Sequence, residues 1–186
     1  MRNLKIAILN QPLNNRGDQA AHTAFINQIS NNRPNDSINV IFINENTDDI
    51  KKIQIAKPEN VNYINITGLE KASNKFLKLT LQKNIYLFTY AHPLLRKFVK
   101  TIRNYDLIIC APGGICMGGF MNWKHIWQLE VCKHLDKRVF YWGRSVGPFD
   151  DSNKTHSIFK NKSENLINYF EYISLRDNVS YNLVKK

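Results

Sequence analysis

Short apolar runs alternate along the chain with longer segments of helical period. A run without helical spacing predicts a buried strand, and apolar residues at i, i+3, i+4 and i+7 predict an amphipathic helix. The segment between the second and third strands predicts only a polar connection. The predicted strands lie at residues 5–9, 38–43, 61–66, 106–111, 139–142 and 172–175. The first predicted helix follows Asp18 and ends before Pro34, and the others lie within 69–105 with a break at Pro93, and at 123–135, 153–170 and 178–186.

This repeated alternation of strand and helix predicts an α/β fold. Because each strand is short and apolar, we expect a Rossmann-like, mostly parallel sheet with helices on both faces. A chain of 186 residues has the length of one domain, so we expect residues 1–186 to form a single α/β domain. In such sheets a ligand lies beyond the carboxyl ends of the strands, and the chemistry is expected in the loops that follow them.

Composition narrows the class of protein. Apolar residues make up 43% and charged residues 22%, which is typical of a soluble globular protein. Three cysteines without a C-x-x-C pair indicate reduced thiols. No apolar run approaches the roughly 20 residues of a membrane-spanning helix. The sequence therefore favours a cytoplasmic location.

The net charge of +11 is concentrated in the middle of the chain. Residues 51–105 carry eleven Lys and Arg against two Asp and Glu. Such a segment attracts nucleic acid, anionic lipid or an anionic sugar, or it is the solvated face of two helices. We find no nucleic-acid-binding motif, so we expect no nucleic-acid partner. The five histidines are scattered, and we expect no metal site.

The loop after the first strand, at residues 14–18, leads into a helix. Free N–H groups at a helix N-terminus favour an anion, and Gly17 permits the tight turn. Asp18 is predicted as the N-cap of this helix. The alternative is that Asp18 acts as a catalytic base or accepts hydrogen bonds from sugar hydroxyls.

A glycine-rich segment at residues 113–119 follows the fourth strand. Its missing Cβ atoms would let the backbone approach a ligand at Gly113 and Gly114. The segment matches neither the Walker A pattern nor G-x-G-x-x-G. The alternative interpretation is a turn without any ligand.

Two later loops each carry an arginine. Arg144, followed by Ser145 and Gly147, is predicted just beyond a strand end, where it would clamp a carboxylate or phosphate or lie on the surface of a turn. Arg176 directly follows the last strand and would project into the ligand crevice. The alternative is a surface ion pair between Arg176 and Asp177, which is worth little energy.

Taken in order, these four segments resemble the polysaccharide pyruvyl transferases. The resemblance extends over residues 5–184, nearly the whole chain. The matching motifs are Asn15-x-Gly17-Asp18, the strand from Asp106 to Gly113-Gly114, Ser145-Val146-Gly147-Pro148-Phe149 and Ser174-Leu175-Arg176-Asp177-x-x-Ser180.

The resemblance implies a two-lobed, GT-B-like fold, with this chain as the N-terminal lobe. It also implies transfer of pyruvate from phosphoenolpyruvate, as donor substrate and without a cofactor, to a pair of sugar hydroxyls. Asp18 and Arg176 are then the expected catalytic residues, with Arg176 on the donor. The expected substrate-binding residues are Asn15, Gly17, Gly113, Gly114, Arg144, Ser145 and Gly147.

Two features depart from the family. Arg144 stands where the family usually has glutamine, and the members are about twice as long as this chain. The alternatives are a non-catalytic lobe that binds a sugar or glycan, and a GT-B-like glycosyltransferase that uses a nucleotide sugar.

The resemblance also permits a lipid-linked saccharide acceptor. The basic stretch at residues 71–103, with its aromatic residues, would then contact an anionic membrane from the cytoplasmic side. The opposing interpretation is that the apolar residues of this stretch pack on the sheet while the lysines stay solvated. The apolar residues concerned are Leu95, Phe98, Val99 and Ile102.

Overall fold

The computed structural model of the chain describes residues 3–11, 13, 16–43, 45–54, 57–67, 74–82, 93–118, 120–150 and 152–185. Strands and helices alternate, as the apolar pattern predicts. The strands are β1 (Lys5–Leu9), β2 (Ser37–Ile43), β3 (Val61–Ile66), β4 (Leu107–Cys110), β5 (Gly113–Met117), β6 (Arg138–Val146) and β7 (Tyr172–Leu175). The helices are α1 (Arg16–Asn32), α2 (Thr47–Gln54), α3 (Asn74–Gln82), α4 (Pro93–Ile102), α5 (Trp123–His134), α6 (Lys154–Ile167) and α7 (Asn178–Val184).

The strands of the described residues form one seven-stranded sheet, and each strand pair in it is parallel. Across the sheet the order is β3-β2-β1-β4-β6-β7, and β5 continues the line of β4 along the same side of β6. Arg144 shows this arrangement, because it pairs with Gly113 of β5 on one side and with Leu175 of β7 on the other. The strand order reverses between β1 and β4, which is where parallel sheets of this kind open a ligand crevice.

Helices cover both faces of the sheet, as expected. Alternate residues of a strand face opposite sides, so Ile6 and Ile8 of β1 join the core beneath α1 and α2. Ala7 and Leu9 join the larger core beneath α3 to α6. Fully burying one such Ile or Leu side chain stabilises the fold by about 1.5–3 kcal/mol. The expected α/β, Rossmann-like fold class is therefore confirmed.

Helix α2 was not predicted. Its N-terminus is capped by Asn46, whose side-chain oxygen accepts from the N–H of Asp48 at 2.9 Å. Only Ile50 and Ile53 of the helix are buried hydrophobic residues. Two apolar residues in eight give too little periodicity to separate a helix from a polar connection.

The expectation of a loop at residues 113–119 is wrong over its first part, because Gly113–Met117 forms β5. Arg144 and Ser145 were likewise expected beyond a strand end, and they lie inside β6. The reason is that β6 is nine residues long and offers a second pairing edge beyond β4. Glycines are depleted in strands, so the sequence pattern hides this pairing.

Helix α1 begins at Arg16, so Asp18 lies in its first turn and is not the N-cap. Ala21 of α1 is exposed, whereas the neighbouring His22 is 1% exposed. Nε2 of His22 lies 2.9 Å from the hydroxyl of Tyr63, and its ring packs on Phe42. Burial lowers the pKa of His22 to about 4, so the ring is neutral near pH 7.

The basic stretch folds in part as the opposing interpretation expected. In α4, Arg96, Lys97 and Lys100 are exposed, whereas Phe98 is fully buried. Phe98 therefore cannot reach a membrane, which corrects its place among the proposed interfacial rings. Lys71, Lys83, Tyr86, Phe88 and Tyr90 lie outside the described residues.

Candidate active site at the carboxyl edge of the sheet

The predicted site residues follow strands whose carboxyl ends meet at one edge of the sheet. Gly17 and Asp18 come after β1, and the Gly113-Gly114 segment comes after β4. Arg176 comes directly after β7. Strands β1 and β7 are three strand spacings apart, about 14 Å, so the residues after β1 and the residues after β7 lie at separate places along this edge. Asn15 lies outside the described residues.

Arg144 lies at the centre of this edge and is 1% exposed. Its Nε donates to the carbonyl of Ala111 at 2.6 Å, and its Nη1 lies 3.4 Å from the carbonyl of Gly114. Its Nη2 donates to the carbonyl of Asn10. The guanidinium thus joins the backbone after β1 to the backbone after β4, across the point where the strand order reverses. Neither a surface turn nor an outward clamp describes this position, because β6 carries the side chain into the interior.

His125 of α5 is buried near Arg144. Burial lowers the pKa of His125 well below its usual value, and the charge of Arg144 lowers it further. The ring meets Tyr141 edge to face, with 5.9 Å between ring centroids. Its two nitrogens have no hydrogen-bond partner among the described residues. His125 is therefore a neutral core residue.

The third and fourth sequence motifs form one hydrogen-bonded unit. The hydroxyl of Ser145 donates to Oδ2 of Asp177 at 2.6 Å. Oδ1 of Asp177 accepts from the N–H of Ser180 at 2.8 Å, which caps α7. The hydroxyl of Ser180 in turn accepts from the N–H of Val146 at 2.8 Å. The bond from Ser145, followed by those from Ser180, lowers the pKa of Asp177.

Arg176 is exposed at the end of β7. Its N–H donates to the carbonyl of Arg144 at 3.1 Å, so its backbone is fixed. Asp177 bonds to Ser145 and Ser180, and no ion pair joins it to Arg176. The surface-pair alternative is therefore wrong. The side chain of Arg176 makes no hydrogen bond or ion pair within the part of the chain that the structure describes.

The glycines at this edge have different roles. Gly147 has a φ of +77°, and its N–H donates to the carbonyl of Met117 at 2.6 Å. A Cβ on Gly118 would lie 2.5 Å from the carbonyl oxygen of Gly147, so this close approach requires glycine. A Cβ on Gly114 would meet nothing within 4 Å. Among the described residues, space is therefore open beside Gly114.

The two larger cavities among the described residues do not include the predicted catalytic residues. A cavity of about 510 Å³ lies among α6, α7 and Phe149, and an apolar one of about 420 Å³ lies beneath α1 near Trp142. Neither is lined by Asp18 or Arg176. A polar pocket of about 40 Å³ lies at the carboxyl ends of β1 and β2. Sequence reasoning missed this pocket, although Asn10 and Glu45 stand close behind those strands. Its polar lining residues are Asn10, Gln11, Glu45, Lys124 and Gln128.

The described residues hold no group of three His, Cys, Asp or Glu that would bind a metal ion. Within the same residues no helix is long and apolar enough to cross a membrane. Cys110 and Cys132 are buried free thiols.

The chain matches known proteins at the level of family and fold. The UGT2 of Phytolacca americana, solved with UDP-2fluoro-glucose and pterostilbene, has a TM-score of 0.51 at 9% identity, over 96% of this chain and 49% of that one. The UGT89C1 of Arabidopsis thaliana, solved with UDP, has a TM-score of 0.49 at 10% identity, over 98% of this chain and 47% of that one. The chain thus spans about half the length of these structures. No curated protein matches it.

The first of these likenesses supports a GT-B-like α/β fold. The model of the family described as polysaccharide pyruvyl transferase matches residues 13–186, which include all four motifs. This chain belongs to the polysaccharide pyruvyl transferase family.

Proposed function

We propose that the chain takes part in the transfer of pyruvate from phosphoenolpyruvate to two hydroxyls of a saccharide. The observation that carries the proposal is the exposed side chain of Arg176 at the carboxyl edge of the sheet, in a chain that belongs to this family. The other polar motif residues on the β6–β7 side have structural partners. Ser145, Asp177 and Ser180 bond to one another, and Arg144 bonds to the backbone.

The reaction has defined requirements. A proton adds to the methylene carbon of the enol, which becomes the methyl group and leaves an oxocarbenium-like centre at C2. One sugar hydroxyl adds to C2, the bond to the phosphate oxygen breaks, and the second hydroxyl closes the ketal. The two hydroxyl protons balance the proton on carbon and the one on the released phosphate. A cation is needed for the carboxylate and phosphate throughout.

Arg176 meets the requirement for the cation. A guanidinium presents paired N–H donors in one plane, which match a carboxylate or a phosphate. The bond from its N–H to Arg144 and the cap of Asp177 on α7 hold its backbone on both sides. We assign Arg176 to the donor, with the open backbone at Gly114 on the other side of β6, two strand spacings or about 10 Å away.

Asp18 belongs to the acceptor region in this proposal. It is half-buried in the first turn of α1, where its carboxylate faces the positive end of the helix dipole. There it would accept a proton from an acceptor hydroxyl. A lipid-linked acceptor would bring the enzyme to an anionic membrane face, and the exposed cations of α4 would then meet the lipid headgroups.

Calorimetric titration with phosphoenolpyruvate tests the assignment. The wild-type chain is compared with Arg176→Ala and with Arg96→Ala, an exposed arginine of α4 that serves as the matched control. A hydrogen-bonded charged pair contributes about 1.5–3 kcal/mol, so we expect Arg176→Ala to weaken binding by about 10- to 100-fold. Arg96→Ala should leave the affinity within about twofold. No binding of phosphoenolpyruvate, or equal binding by Arg176→Ala, would contradict the assignment. Binding of UDP in its place would indicate a nucleotide-sugar enzyme.

A further inference from the structure

The polar pocket at the carboxyl ends of β1 and β2 lies apart from Arg176. Its volume is about 40 Å³, which is room for roughly three water-sized groups and too little for a sugar ring. Strands β2 and β7 are four strand spacings apart, about 19 Å. The pocket and Arg176 must therefore contact different parts of a ligand.

The backbone on the β1 side of the pocket is held in an uncommon conformation. Asn10 has a φ of 60°, in the left-handed region that few residues other than glycine adopt, with asparagine among the most frequent of them. The bond from the guanidinium of Arg144 to the carbonyl of Asn10 holds it there. Backbone outliers of this kind concentrate at ligand sites, where the surroundings maintain them.

The other walls are also fixed by hydrogen bonds. The side chain of Asn65 accepts from the N–H of Glu45 at 3.3 Å and donates to its carbonyl at 2.9 Å. Nζ of Lys124 donates to the carbonyl of Ile43 at 2.9 Å, which ties α5 to the end of β2. The pocket is thus a built feature of the fold, assembled from β1, β2, β3 and α5.

One polar atom of the lining has an unmet hydrogen-bonding capacity. Nδ2 of Asn10 is buried and has no hydrogen-bond partner among the described residues. Buried amide donors are normally paired, so this atom points to a missing acceptor. Glu45 is half-buried beside the same pocket and supplies carboxylate oxygens, which only accept when ionised.

These groups match the hydroxyls of a sugar, each of which donates and accepts. In Rossmann-like sheets a carboxylate near the end of the second strand accepts from vicinal ribose hydroxyls, and Glu45 stands two residues after β2. We propose that two vicinal hydroxyls of a sugar ring enter this pocket and bind Asn10 and Glu45, while the ring itself stays outside it. The pocket would then be a subsite for the saccharide acceptor, remote from the reacting hydroxyls, and in this respect the inference rests on the proposed function. The ribose of a nucleotide offers the same diol.

Saturation-transfer NMR on the 186-residue chain tests the pocket with two probes, methyl β-D-galactopyranoside and UDP. Asn10→Gly removes the amide and tolerates the positive φ, and Glu45→Gln keeps the side-chain size without the charge. Glu59→Gln is the control, because Glu59 is exposed and does not line the pocket. Far-UV circular dichroism checks that each variant is folded.

We expect Asn10→Gly and Glu45→Gln each to lower the affinity for one probe at least fivefold, while Glu59→Gln changes that affinity less than twofold. Weaker binding of the galactoside assigns the pocket to the saccharide acceptor. Weaker binding of UDP, together with loss of the protein's preference for UDP over 2′-deoxy-UDP, assigns the pocket to ribose. Failure of both probes to bind, or unchanged binding by both folded variants, overturns the inference. Titration of phosphoenolpyruvate into the same samples separates the two proposals, because it depends on Arg176 and not on Glu45.

Discussion

The hydroxyl of Ser145 donates a hydrogen bond of 2.6 Å to the carboxylate of Asp177, 32 residues further along the chain. This contact joins the end of β6 to the start of α7. Because Arg176 directly precedes Asp177, the same contact fixes the backbone of Arg176, whose side chain we assign to the donor substrate. The two motifs are therefore one structural unit, in which polar residues position a neighbouring cation.

Asp177→Ala should lower thermal stability in a pH-dependent way. The hydrogen bonds to its carboxylate hold the pKa of Asp177 below the usual 3.8, so the stabilisation is fully present above that pH. It is lost as the pH falls through the lowered pKa. Melting temperatures of wild type and variant should differ at pH 7, and the difference should shrink as the pH falls through the lowered pKa. Glu59→Ala is the exposed control, and a difference that stays constant with pH would refute this assignment.

Arg144→Leu should destabilise the fold strongly, because it leaves the carbonyls of Asn10 and Ala111 buried without their donor. We expect a loss of about 3 kcal/mol in the free energy of unfolding, measured in urea. Arg144→Gln should cost less, since an amide can still donate to one of these carbonyls. Arg96→Gln, on the exposed face of α4, should stay within about 0.5 kcal/mol. A loss for Arg144→Leu as small as that of this control would show that the guanidinium does not join the two strand ends.

Gly118→Ala and Gly114→Ala should differ although they are four residues apart. A Cβ at Gly118 meets the carbonyl oxygen of Gly147 at 2.5 Å, so we expect a destabilisation of about 1–3 kcal/mol. At Gly114 the new methyl group meets open space and should cost less than about 0.5 kcal/mol. If Gly114 lies beside the donor, its variant should still weaken phosphoenolpyruvate binding. Equal stability of the two variants in thermal melts would contradict this packing.

The sequence predicts this fold well where apolar periodicity is strong and poorly where pairing is long-range. The runs at β1 and β3 were predicted with their observed bounds, and Pro93 begins α4 where the helical pattern was expected to break. Strand β5 was missed because its pairing depends on the length of β6, 20 or more residues further on. Helix α2 was missed because it buries only two isoleucines.

The candidate site shows the same limit. Residue types at strand ends pointed to Arg176 and Asp18, but the burial of Arg144 follows from a strand that extends further than its apolar run. The polar pocket was missed because Lys124 and Gln128 come from α5, more than 100 residues after Asn10. Only the folded sheet brings these side chains together.

The exposed cations of α4 should bind anionic vesicles if the acceptor is lipid-linked. Each Lys or Arg near such a surface contributes about 1 kcal/mol, so Lys97→Glu with Lys100→Glu should abolish pelleting at low salt. Lys51→Glu with Lys52→Glu makes the same charge change on α2 and is the matched control. Equal, negligible sedimentation of the wild type with neutral and anionic vesicles would rule out membrane contact.

Backbone amide NMR during titration with phosphoenolpyruvate tests the donor site most directly. We expect the largest chemical-shift changes at Gly114, Arg176 and Asp177, on the carboxyl edge, and their loss in Arg176→Ala. The rival result is non-specific attraction of the anion by a chain of net charge +11. Changes concentrated on Lys97 and Lys100 of α4, with none at Arg176, would contradict a donor site at the carboxyl edge.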